Sequence, residues 1–188
     1  MKRYLKLLFI SIILITGCND TKKETESVKE TAIESSELDM YSDKFRRLMV
    51  TEDGVLRGFT FITDSSEIKR NETAQFLSTD PSEMTFTIEF NELEMADIIY
   101  HLKANEVDTF ELDLYLKNKE ATDSLVQDFR LFYTGKYGKF TTQGDSLLLW
   151  KDSVENVGVK LKYINEEFDH GINVYLYKNS SDQEEVQQ

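Results

Sequence analysis

The chain has 188 residues, enough for one domain, or two small ones sharing a core, with a real interior, and a formal net charge of -13. An acidic balance of this size repels phosphate backbones and anionic lipid headgroups, which argues against DNA, RNA and polybasic membrane binding. One cysteine permits no internal disulfide, while 12 Phe and 9 Tyr beside a single Pro point to a packed globular body.

In chain order, "MKRYLKLLFISIILITGC" begins with basic Lys2, Arg3 and Lys6, runs apolar from Leu7 to Ile15 and closes on Thr16 and Gly17. That run falls short of the roughly 20 apolar residues a bilayer-crossing helix needs, and reads as the core of a secretory signal over residues 1–17. Leu14, Ile15, Thr16, Gly17 and Cys18 resemble a bacterial lipobox. The resemblance implies cleavage between Gly17 and Cys18, a diacylglyceryl group with palmitate-type chains on the Cys18 sulfur, and an amino group open to further acylation. Two or more chains anchor firmly, because each buried methylene contributes about 0.8 kcal/mol. The expected location is the bacterial cell envelope, at the outer membrane or cell surface, with membrane contact made through the lipid on Cys18. Loss of Lys2, Arg3 and Lys6 takes the net charge from -13 to -16.

Residues 18–40, containing "NDTKKETESVKETAIESSELD", hold too few apolar side chains to offset their ordering entropy, and are expected to form a flexible tether. Residues 179–188 are expected to form a disordered tail. Between them, residues 41–178 carry the periodicity of a globular α+β domain. "DSSEIKRNETAQF" predicts a helix with Asp64 as N-cap and Glu67 three residues on. Met84, Phe86, Ile88 and Phe90 alternate with Thr85, Thr87, Glu89 and Asn91, the mark of a strand with one apolar face. Ile98, Tyr100 and Leu102, then Phe110, Leu112, Leu114 and Leu116, repeat it, and short connections predict an antiparallel meander.

From Glu120 the period changes. Ala121, Leu125, Phe129 and Phe132 or Tyr133 fall on one helical stripe, with Gly135 as the expected stop. Further strands are predicted at 147–150, 157–163 and 172–177. The order is helix, three strands, helix, three strands, and "LDLYLKN" at 112–118 matches "INVYLYKN" at 172–179. We read this as two αβββ units in tandem, about 57–118 and 119–178, forming an antiparallel sheet with helices on one face.

Gly58 with "DSSEIKRNE" after it, and Tyr137-Gly138-Lys139-Phe140, resemble the helix-then-three-strand units of small envelope lipoproteins. These are the outer-membrane-assembly lipoproteins and the β-lactamase-inhibitor-like proteins. Phe140 stands where that pattern often has proline. The resemblance implies a binding or assembly module, and no catalytic residue is carried over.

Gly144-Asp145-Ser146-Leu147 spells the nucleophile block of the GDSL esterases, and Glu167 and His170 stand at the spacing of that family's Asp-x-x-His pair. A serine hydrolase needs a base to take the serine proton and a carboxylate to orient that base. Too little chain follows Ser146 for the parallel sheet of those enzymes, so a Gly-Asp turn feeding a strand is the expected structure. Two histidines, His101 and His170, supply no short-range zinc cluster, and no twelve-residue calcium loop is present. No metal, cofactor or catalytic residue is therefore expected. Tyr115, Tyr175 and Tyr177 point away from the apolar stripes of their strands, and tyrosine is enriched in interfaces. The expected function is a lipid-anchored module that binds or scaffolds a protein or ligand in the envelope, with these tyrosines as its interface. The alternatives are a serine hydrolase and a surface structural protein.

Overall fold

The computed structural model describes residues 36–167 and 169–179; Cys18, the expected leader, the expected tether 18–40 apart from residues 36–40, and the expected tail 179–188 apart from residue 179 lie outside the described residues. A 3-10 turn, Glu37–Met40, leads into α1 (Asp43–Met49) and α2 (Ser65–Asn71). Four strands follow: β1 (Gln75–Asp80), β2 (Glu83–Asn91), β3 (Glu94–Lys103) and β4 (Glu106–Tyr115). Then come α3 (Lys119–Tyr137), β5 (Thr141–Gln143), β6 (Leu147–Asp152), β7 (Val157–Asn165) and β8 (His170–Lys178). All eight strands join one antiparallel sheet in the order β1-β2-β3-β4-β8-β7-β6-β5, so the protein is mixed α/β and mostly sheet.

Each half contains one strand more than the sequence pattern predicts. The additional strands, β1 and β5, are the two sheet edges, and every residue in both is exposed. With neither face buried they carry no apolar alternation, which is the signal that distinguishes a strand from a loop. Both edges are blunted against uncontrolled pairing: β5 is three residues long, and β1 is broken by a register shift between Phe76 and Ser78.

Cross-strand register carries the alternation of each strand into continuous rows. Phe86, Ile98, Leu112, Val174, Leu161 and Leu148 stand side by side from β2 to β6. A second row runs Met84, Tyr100, Phe110, Leu176, Val159 and Trp150, and every member of both rows is buried. Each such side chain contributes about 1.5–3 kcal/mol by leaving water.

Aromatic side chains of the helices pack into the same core. In α3, Leu125, Val126, Phe129, Phe132, Tyr133 and Tyr137 are buried, and Tyr133 meets Trp150 with ring centroids 5.6 Å apart. Phe45 of α1 packs edge-on against Phe129 at 5.1 Å. Asn118 caps α3 by accepting the Ala121 amide. The helix passes through Gly135 and ends at Gly138, whose φ of 83° is open to glycine and costly for other residues. Asp64 caps α2 as expected, and the amides of Glu67 and Ser66 hold its carboxyl below the usual range. Among the described residues no helix is long and apolar enough to cross a membrane.

Candidate functional site

The residues that alternate with the core rows form the opposite face of the sheet. Reading across β2, β3, β4, β8, β7 and β6, one row is Thr87, Asp97, Asp113, Asn173, Lys162 and Leu147. The next is Thr85, Ile99, Glu111, Tyr175, Lys160 and Leu149, and the third is Glu83, His101, Thr109, Tyr177, Gly158 and Lys151. Tyr115 lies one row above the first, opposite Gly171. The three sequence-predicted tyrosines therefore share one face, on the adjacent strands β4 and β8. Tyr115 is 51% exposed, whereas Tyr175 and Tyr177 are half-buried.

Carboxylates cluster on the β2–β4 side of this face. His101 Nε2 lies 2.6 Å from Glu111 and its Nδ1 3.7 Å from Glu83. Glu111 also holds Tyr175: that hydrogen bond first, and burial second, push the phenol well above its ordinary value. The Asn173 amide donates to Asp113 at 2.5 Å. Burial pushes the Asp113 carboxyl up, Asn173 opposes this, and the charges of Glu111 and Asp97 add to the rise. Asp97 and Asp113 are direct cross-strand neighbours, an arrangement of like charges that destabilises a sheet. Neither forms an ion pair with a lysine or arginine among the described residues.

Two glycines shape the seam. The ring of Tyr177 lies over Gly158, where an added Cβ would sit 2.5 Å from the ring. At Gly171 an added Cβ would sit 2.5 Å from the Leu114 carbonyl oxygen, so β8 and β4 approach closely beneath Tyr115.

The serine block takes the form of a turn that leads into a strand. Gly144 and Asp145 form a turn, with Gly144 at φ 64°, and Ser146 continues into β6, where its carbonyl accepts the Tyr163 amide at 3.1 Å. His170 begins β8, and β7 separates that strand from β6. No hydrogen bond joins Ser146, Glu167 and His170 among the described residues, and His170 Nδ1 is buried without a partner. Among the described residues no group of three or more His, Cys, Asp or Glu is arranged to hold a metal ion.

Sequence reasoning missed a buried ion pair beside an open pocket of about 480 Å³ lined by Arg47, Arg57 and Ile88. Arg57 Nε and Nη2 donate to the two Glu72 carboxylate oxygens at 2.8 and 2.6 Å. Nη1 donates to the Arg47 and Leu48 carbonyls at 2.8 and 2.7 Å, and Nη2 also reaches Thr73 at 3.1 Å. The Tyr100 hydroxyl donates to Glu72 as well. Burial would raise the Glu72 carboxyl, but the hydrogen bonds and charge of Arg57 overcome it and hold it low. With all five guanidinium N–H groups engaged, this network fastens the loop before α2 to the core and offers little to a ligand.

Comparison with protein-family models, with curated proteins and with solved structures finds no match to this chain.

Proposed function

We propose that the protein is a lipid-anchored envelope lipoprotein that works as a protein-binding module, held at the membrane through Cys18, with no catalytic centre. In this reading the helices cover one face of the sheet, and the face bearing Tyr115, Tyr175 and Tyr177 meets the partner. The chain comprises two units, each a helix followed by a meander, whose last strands β4 and β8 pair at the centre. The observation that carries the reading is the cross-strand pair Asp97 and Asp113, set among tyrosines and without a lysine or arginine partner among the described residues. A protein keeps a destabilising local arrangement where function requires it. Stiff tyrosine rings add contact area at low entropic cost, and a partner supplies the missing countercharge.

The test is photocrosslinking in cells with the anchor intact, using a benzophenone amino acid at position 115 and, as control, at position 131. Leu131 is comparably exposed, at 49%, on α3. A discrete adduct at 115 that is absent at 131, and is lost when Tyr175 is replaced by Ser in a folded chain, supports the reading. Equal or absent adducts at both positions overturn it.

A further inference from the structure

Charge on the tyrosine face is segregated along the strand order. Glu83, Asp97, Glu111 and Asp113 lie on β2, β3 and β4, whereas Lys151, Lys160 and Lys162 lie on β6 and β7. The β3–β4 turn adds a neutral cross-strand pair, Lys103 with Glu106. Between the two fields runs the seam of β4 and β8, with its tyrosines and the close approach at Gly171.

We propose that the partner on this face is a second copy of the same chain, packed face to face about a two-fold axis that runs along the β4–β8 seam. The proposal rests on the reading of this face as the contact surface. Such an axis exchanges the two halves of the sheet while keeping each row in place, so its contacts follow from the register. Asp97 meets Lys162 of the second copy, and Glu83 meets Lys151 of the second copy. Glu111 meets Tyr175 of the second copy. Met95 of one chain meets Ile164 of the other, and exposed Tyr115 stands over the surface left low by Gly171 of the other.

Each of these contacts occurs twice, as an isologous interface requires. Like charges meet in none of them, although the rows were fixed by hydrogen bonding within one chain. The dimensions also suit a pair of chains. Eight strands at about 4.8 Å spacing give a face roughly 34 Å wide, and strands of this length bring the covered area to the order of 800 Å² per copy. That is the size of a standard stable interface. Sheets packed this way lie about 10 Å apart with strands within about 30° of alignment, which lets side chains from the two faces interdigitate.

The experiment uses the full chain in density-matched detergent, read by sedimentation equilibrium. The wild type is expected to sediment as two chains, with an association that weakens as salt rises. Asp97→Lys alone places lysine against Lys162 twice, and Lys162→Asp alone places aspartate against Asp97 twice. Each variant is expected to associate at least tenfold more weakly, while remaining folded by circular dichroism. An equimolar mixture of the two restores both contacts in one mixed pair, and is expected to recover the dimer. Glu83→Lys and Lys151→Glu repeat the test should an Asp97 variant fail to fold. A monomeric wild type, single variants that still dimerise, or a mixture that stays monomeric would each overturn self-pairing. If the monomeric chain still crosslinks through position 115 to a different protein, only self-pairing fails; if position 115 captures nothing, the contact-surface reading fails with it.

Discussion

Replacing Arg57 by Met removes every partner that the guanidinium supplies to the loop before α2. The Glu72 side chain, 1% exposed, keeps only the Tyr100 hydroxyl and the Ala74 amide. Breaking a buried ion pair from one side costs about 3–5 kcal/mol, because the remaining charge stays out of water. The unpaired Arg47 and Leu48 carbonyls act in the same direction. Against a usual total of about 5–15 kcal/mol this is a large fraction, and for a domain of this size it lowers the melting temperature by roughly 10 °C. The loss should also depend on pH. In the wild type the lowered Glu72 value adds stability above the ordinary carboxylate pKa of about 4.3, and that stability is lost as pH falls through the lower folded value. In Arg57→Met burial, the largest influence on this carboxyl, is opposed only by the Tyr100 and Ala74 hydrogen bonds and pushes it up. The sign then inverts, and the variant loses stability as pH rises from about 4.3 through its raised value. Urea unfolding of both proteins at pH 4 and pH 7 should show a deficit that grows toward neutrality. A deficit below about 1 kcal/mol at pH 7, or the same deficit at both pH values, refutes this account of the network.

Gly171→Ala drives a Cβ against the Leu114 carbonyl oxygen, which cannot move without parting β4 from β8. It should cost about 2–3 kcal/mol in thermal unfolding. Gly158→Ala meets only the Tyr177 ring, which can rotate away, so it should cost less than Gly171→Ala in the same assay. A Cys18→Ala change should release or strand the protein without altering the melting temperature of the domain; continued membrane partitioning, with no labelled fatty acid taken up by the wild type, refutes the lipid anchor. A fluorophosphonate probe should leave the wild type unlabelled, because no hydrogen bond joins Ser146 to a histidine among the described residues; labelling abolished by Ser146→Ala refutes the non-catalytic reading.

The parts of this fold that were legible in the sequence are those where one face is buried and the other wet. Met84, Phe86 and Ile88 on β2 and Phe110, Leu112 and Leu114 on β4 alternate because the core demands it, and the same alternation placed Tyr115, Tyr175 and Tyr177 on the far side. The edge strands β1 and β5 left no such trace. Glycine marked a helix end correctly in kind but at the wrong residue: Gly135 sits within α3, and it is the backbone angle at Gly138 that ends it. Long-range pairings were invisible for a different reason. Arg57 and Glu72 stand 15 residues apart, one in the loop before α2 and the other at its end, where no periodicity says which charges will meet. Likewise the β4–β8 neighbourhood joins strands far apart in sequence, and only with that pairing known do four carboxylates and three lysines become two fields on one surface.

We propose that this surface, and not α3, is where the protein meets its partner. Photocrosslinking in cells at position 115, compared with position 131, tests it most directly. A discrete adduct from 115 alone, at the mass of two chains, is the expected result. A discrete adduct from 131 with none from 115 would contradict it.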